Sequence, residues 1–404
     1  MTATISRAQS SFFEDQRLSM EDSVALTIQS LQAFGSDHRH WAVAFSGGKD
    51  STTAATVVIH AIESGQVPAP ETLTVLYADT RQEIPPLQIN AMATLDVMAR
   101  RGVRTQVVLP ALDDRYFVYM LGRGVPPPSN TFRWCTGQLK VEPMLAALAG
   151  LRQQVGEKIL MITGVRVGES AARDQRIALS CGRNGAECGQ GWFQEAKSDA
   201  ISDTMAPILH WRVCHVWDWL YFEAPTLGFP TQLVADVYGG EQAQEINCRT
   251  GCTGCPLAQR DTALDNVLRL PQWEYLSPLK RLRPLYREIK KPAYRLRKDG
   301  TERRKDGTLV SNPMRMGPLT LEARTRALSE ILGIQMEINE AADHLGRPTI
   351  SLINPEEQAR IEELIAAQTW PHGWDGTEFR ADIWQPLQVM AEGIAQPVLM
   401  EEIE

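Results

Sequence analysis

Six consecutive residues, Ser46, Gly47, Gly48, Lys49, Asp50 and Ser51, gather in one short segment the groups that an anion site requires. Two adjacent glycines let backbone N–H groups turn toward a phosphate, Ser46 and Ser51 add hydroxyl donors, and Lys49 supplies a point charge. The segment follows an apolar run, Trp41 to Phe45, and precedes a helical pattern, so the positive end of a helix adds to the site. A Walker loop has a Lys-Ser or Lys-Thr pair after its second glycine, and the different order here argues against a γ-phosphate hydrolase of that kind. A plain strand-to-helix turn capped by Asp50 would explain a bare SGG; the full hexapeptide in this context favours phosphate binding.

Sulfur chemistry is the second signal. The chain has seven cysteines, an odd number, with three of them in the decapeptide NCRTGCTGCP at Cys248, Cys252 and Cys255. Such crowding does not look like a secreted disulfide framework. The C-x-x-C pair with a third cysteine four residues upstream fits an iron–sulfur cluster or a four-thiolate zinc equally well by spacing. Cys181 and Cys188 flank a glycine-rich stretch and read as incidental thiols or exposed sulfur carriers. Cys214 lies in an apolar helical pattern and reads as core, as do Trp211, Trp217 and Trp219.

The elements that must position these residues alternate. A helical pattern at 21–34 is followed by strands at 41–45, 73–79, 103–110 and 157–165, with helices at 52–64, 85–101 and 141–154 between them. This alternation predicts an α/β fold with a doubly wound parallel sheet, whose ligands bind beyond the carboxyl ends of the strands. Two helices at 321–338 and 355–368 predict a small C-terminal helical module. The expected divisions are an N-terminal helical segment at 1–40, a nucleotide domain at 41–235, a cysteine loop with following helices at 236–292, and a basic stretch with the helical module at 293–404.

At 404 residues, 43% hydrophobic and 22% charged, the chain has ample material for a core. No run approaches the roughly 18 apolar residues of a membrane span, and the first residues lack a secretory apolar core, so the expected location is the cytoplasm with no membrane partner. The net charge is −8, yet residues 280–305 hold twelve Lys or Arg against three Asp or Glu. A strip of +9 on a body of −17 suggests a polyanion contact such as DNA; a solvated charged face fits the same composition.

SGGKDS resembles the signature of PP-loop ATP pyrophosphatases, which cut ATP between its α and β phosphates. Four later segments resemble, in order, those of the PAPS-reductase-like branch: VLYADTRQEIPP at 75–86, RWCTGQLKVEP at 133–143, GVRVGESAAR at 164–173 and APILHWRVCHVWDWL at 206–220. The resemblance implies ATP and Mg²⁺ as cofactors. It places Asp79, Thr80, Lys140, Gly164, Glu169 and Arg173 around the nucleotide beside Ser46 to Ser51, with Lys49, Asp50, Arg133 and Arg166 carrying the chemistry. It also implies a [4Fe–4S] cluster on Cys135, Cys248, Cys252 and Cys255. Thr136 stands where cluster-binding relatives usually have a second cysteine, and Cys248 supplies the replacement.

No cysteine follows Cys255, so the mobile catalytic cysteine of a sulfonucleotide reductase is not expected. The arrangement from 40 to 365 is more similar to the DndC and SspD components of DNA phosphorothioation systems, although their loops usually hold four close cysteines rather than three. That similarity implies adenylation of a phosphate oxygen followed by sulfur insertion. A cysteine desulfurase would donate the sulfur, with DNA and other phosphorothioation components as partners in a bacterial defence system. A tRNA-thiolation-type sulfurtransferase, a PAPS or APS reductase relative, and a nucleotide-binding regulator are the other readings.

Overall fold

The computed structural model describes residues 18–168, 192–238, 251–298, 307–308, 316–383, 387–389 and 395–397. The first helix, α1 (Met20–Gly35), opens with a reciprocal cap in which Ser19 and Asp22 satisfy each other's backbone amides. It is followed by β1 (His40–Phe45), α2 (Lys49–Glu63), β2 (Thr72–Ala78), α3 (Pro85–Arg100) and β3 (Arg104–Val108). A helical turn, α4 (Trp134–Thr136), leads to α5 (Glu142–Val155), β4 (Ile159–Ile162), β5 (Trp192–Gln194) and β6 (Ser202–Ala206). Every strand that the sequence predicts is present.

The sheet order is β3-β2-β1-β4-β6-β5. The central strand β1 runs parallel to both neighbours, with Val43 opposite Val75 on one side and Ile162 on the other. All three are buried, as expected of a strand covered on both faces. β4 and β6 are also parallel, whereas β5 returns antiparallel along β6 as an edge strand. The sheet is therefore mostly parallel rather than wholly so; a three-residue edge strand gave no periodicity to read.

The chain divides into two compact units that interleave along the sequence. One comprises 1–77, 87–107 and 146–248, and the other 78–86, 108–145 and 249–404. The second unit holds the long helix Leu321–Leu345, closed by Gly346 in the left-handed conformation, and the capped helix Pro355–Ala366. No helix among the described residues is long and apolar enough to cross a membrane.

Two expectations about individual residues are corrected. Cys214 is exposed, because the short helix Val213–Asp218 turns His215 and Val216 inward instead. Trp211 and Trp219 are core, and Trp217 is only partly buried. In the basic strip, Arg295 and Arg297 are buried. Arg295 donates from Nε to the Gly317 carbonyl at 2.6 Å, and Arg297 donates to that of Ile383 at 3.2 Å. These guanidiniums satisfy backbone carbonyls beside the strand pair Leu296–Arg297 and Phe379–Arg380, and they are not presented to a polyanion.

Candidate nucleotide loop and cysteine loop

The loop between β1 and α2 lies in the first unit. Gly47 has φ +70°, and a Cβ there would stand 2.7 Å from that of Ala91, so both conformation and space require glycine. Gly48 is the N-cap of α2 and provides no side-chain cap. The loop instead closes on itself: the Ser46 amide donates to Ser51 Oγ at 3.1 Å, the two hydroxyls lie 2.9 Å apart, and Ser51 Oγ donates to the Gly48 carbonyl at 3.1 Å. The first amides of α2 therefore keep their positive potential at the loop.

Asp50 organises the charges. Its Oδ2 accepts from Lys49 Nζ at 2.5 Å and its Oδ1 from Arg166 Nε at 2.5 Å, with both cations nearly buried. Arg166 also donates to the Trp211 carbonyl at 3.2 Å, and the Trp211 indole donates to Thr27 Oγ1 on α1. Lys49 lies 5.6 Å from the centre of the Tyr238 ring. Gly164 is required by close packing, since a Cβ there would meet the Asp50 carbonyl at 2.7 Å and the Ser51 nitrogen at 2.8 Å. One carboxylate thus faces two cations, leaving a net positive charge beside uncapped amides.

The turn after β2 belongs to the second unit. Asp79 Oδ1 accepts the Arg81 amide at 2.8 Å, Thr80 Oγ1 donates to Glu83 at 2.7 Å, and Arg81 sits at φ +60°. Arg81 is held by the Ser351 carbonyl and hydroxyl, and its Nε lies 3.4 Å from the buried Glu357 carboxylate. Burial pushes the Glu83 carboxyl above its usual range against the opposing pull of Lys140, whose Nζ is 3.8 Å away. The cysteine loop docks on this turn: Thr253 donates its amide to the Gln82 carbonyl at 2.7 Å and its hydroxyl to that of Glu83 at 2.9 Å.

Cys252, Cys255 and Cys135 are free thiols in that same unit. Burial pushes Cys252 up to about 12, with Lys140 working against the shift and Glu83, Cys255 and Cys135 adding to it. Burial also raises Cys135. Tyr116 and Tyr286, with ring centres 6.0 Å apart, are buried beside these thiols and are raised chiefly by desolvation. Among the described residues, no group of three or more His, Cys, Asp or Glu is arranged to hold a metal ion. Cys135, Cys252 and Cys255 do not form a closed metal site by themselves.

The expected site residues thus fall into two groups, each within one unit. Ser46 to Ser51, Gly164 and Arg166 come together in the first. Asp79, Thr80, Lys140, Cys135, Cys252 and Cys255 lie in the second, where Lys140 pairs with Glu83 and Arg133 is exposed. Glu169, Arg173 and Cys248 lie outside the described residues, as do Cys181 and Cys188. The sequence reading passed over Glu83, Thr253 and Tyr238. Glu83 had a signal, the Thr-x-x-Glu spacing of a capping box just before α3.

Comparison with known proteins gives a family match over the part of the chain that holds the 46–51 loop. Residues 40–225 match the phosphoadenosine phosphosulfate reductase domain family. The matched segment contains the 46–51 loop, Arg133, Lys140, Gly164 and Arg166, and it ends before Cys252 and Cys255. An uncharacterized protein of Methanocaldococcus jannaschii is 26% identical over 217 residues, covering 53% of this chain and 41% of that relative. The chain therefore spans about two fifths of the relative's length. The crystal structure of phosphoadenylyl-sulfate (PAPS) reductase from Candida auris, a phosphate complex, is similar at 13% identity with a TM-score of 0.33. That match covers 55% of this chain and 93% of that protein.

Proposed function

We propose that the chain binds ATP at the 46–51 loop and cleaves it to AMP and pyrophosphate, in the adenylation of a phosphate oxygen that sulfur then replaces, most specifically in DNA phosphorothioation. The observation that carries the reading is Asp50 held between Lys49 and Arg166 beside uncapped helix amides. Two cations sharing one carboxylate have charge left for the departing pyrophosphate, in surroundings dry enough for that charge to count. Asp50 fixes both cations before the substrate arrives, which limits reorganisation during bond breaking. Gly47 and Gly164 allow the backbone to approach closely where a side chain would not fit.

In the first step an oxygen of the DNA phosphate attacks the α-phosphorus of ATP and pyrophosphate leaves. In the second, sulfide, freed from a cysteine desulfurase's persulfide by a two-electron thiol reductant, attacks the adenylated phosphorus and AMP leaves with the original oxygen. Mg²⁺ enters with the nucleotide phosphates as their counterion. Asp79 and Thr80 are assigned to the nucleotide, and Cys135, Cys252 and Cys255, completed by Cys248, to a [4Fe–4S] cluster. Such a cluster would supply electron transfer or sulfur relay.

The test is product analysis with purified protein, ATP, Mg²⁺, DNA and a sulfide source. AMP and pyrophosphate in equal amounts support the reading; ADP with orthophosphate, or no turnover, defeats it. The match of residues 40–225 to the reductase-domain family favours a second reading, a sulfonucleotide as substrate. Sulfite release from PAPS without pyrophosphate formation from ATP would select it.

A further inference from the structure

Thr253 lies between the two thiols of the C-x-x-C pair and is buried, yet its polar groups face backbone of a different segment. Its amide and hydroxyl both donate to the Asp79–Glu83 turn, at the Gln82 and Glu83 carbonyls. The turn has little freedom of its own. Asp79 holds the Arg81 amide, Thr80 holds Glu83, and the Arg81 side chain is gripped at Ser351 and Glu357. The cysteine loop is equally fixed: the Cys255 amide donates to the Cys252 carbonyl at 3.0 Å. Gly254, at φ +64°, has Leu282 Cβ only 2.8 Å from where its own Cβ would lie. Ligation or modification of either thiol that shifts this tight loop must therefore move Thr253, and Thr253 cannot move without releasing two buried carbonyls.

We propose that Thr253 is a positioning residue that couples the cysteine loop to nucleotide binding, so that the chemical state of Cys252 and Cys255 sets the affinity for ATP, and ATP in turn further stabilises the cysteine loop. The proposal rests on the assignment of Asp79 and Thr80 to the nucleotide. Coupling of this kind is reciprocal and commonly amounts to roughly a 5- to 150-fold change in affinity. Loss of one buried hydrogen bond within it corresponds to about a three- to ten-fold effect.

The experiment uses the full chain purified without oxygen and the non-cleavable probe α,β-methylene-ATP. Amide hydrogen exchange is followed in peptides covering 79–86 and 251–256, and probe affinity is measured by calorimetry. In the wild type the probe is expected to slow exchange several-fold in both segments. Thr253→Val, which keeps the amide and shape but loses the hydroxyl, should weaken binding about three- to ten-fold and lose most of the protection at 251–256. Thr253→Ser, which keeps the hydroxyl, should behave as wild type. Should Thr253→Val fail to fold, the wild-type exchange data decide. Probe binding that protects 79–86 but leaves 251–256 unchanged overturns the coupling while sparing the nucleotide reading. Probe binding that protects neither segment also overturns it, by removing Asp79 and Thr80 from the nucleotide. Absence of probe binding overturns both.

Discussion

The 46–51 loop and the Asp79–Glu83 turn are both polar, both partly buried and both placed just after a strand, yet they are built differently. The loop draws its geometry from six adjacent residues plus Gly164 and Arg166, and it holds surplus positive charge around Asp50. The turn draws on separated stretches that supply Lys140, Thr253, Ser351 and Glu357, and it is dominated by mutually satisfied hydrogen bonds. A region with charge left over is suited to take up an anion, whereas one whose groups satisfy each other is suited to hold its shape. Substitutions in the loop should therefore remove chemistry, and substitutions in the turn should alter affinity and stability.

The largest effect is expected at Asp50. Asp50→Asn keeps the shape but gives up the charge that aligns Lys49 and Arg166, and pyrophosphate release should fall by about 10²- to 10³-fold with the fold retained. Lys49→Ala should match or exceed it. A variant that keeps more than a tenth of wild-type turnover and an unchanged KM would remove the loop from the chemistry. In the other unit, protein isolated anaerobically should carry about four irons per chain, lost in Cys252→Ser and Cys135→Ser. Cys214→Ser should leave the iron in place, because that thiol is exposed and in the other unit. Stoichiometric zinc without iron would overturn the cluster assignment.

Next comes Arg295. Burial pushes its guanidinium down to about 10, and its donors are spent on the Gly317 and Met316 carbonyls. Arg295→Glu should destabilise the protein by about 3 kcal/mol or more, since it places a carboxylate against two carbonyls. Denaturation in urea would show it, and an unchanged midpoint would mean that the side chain is free. Gly164→Ala should be milder. The new Cβ presses on the Asp50 backbone, so turnover should drop about ten-fold through misplaced cations, a small displacement being costly at a reacting centre. Gly150→Ala, in a helix with nothing within 4 Å, should leave turnover unchanged and add up to about 1 kcal/mol of stability.

The strands and the strand–loop–helix geometry at 40–63 were legible because their signals are local: an apolar run, a glycine pair and a helical period lie within about twenty residues. The docking of Thr253 on the turn was not, since 170 residues separate it from Glu83 and no periodicity records such a contact. The left-handed Arg81 carried no signal either, because its conformation is imposed by partners at 351 and 357. The basic strip shows the opposite failure. Its charge was plain in the composition, but composition does not reveal that Arg295 and Arg297 are turned inward onto carbonyls.

That burial changes what the strip can do with DNA. If half of its twelve cations met phosphates, the slope of log affinity against log salt would be about −0.9 × 6, or near −5. Arg295 and Arg297 are now committed inside, and Lys290 donates to the Pro128 carbonyl. Lys280 pairs with Asp265, and Arg281 with Glu337. Among the described residues of the strip, Arg287 and Lys291 are exposed and outside these pairings. Two phosphate contacts from this pair contribute about −2 to the slope. Replacing both by glutamate should flatten the slope by about 2 and weaken binding on all sequences alike, because phosphate contacts carry no sequence information. Stability should change by no more than about 0.5 kcal/mol, as befits exposed side chains. A double variant that binds duplex DNA with the wild-type slope would show that the contact lies elsewhere, and one that loses stability instead would show that these two cations, like Arg295, belong to the fold.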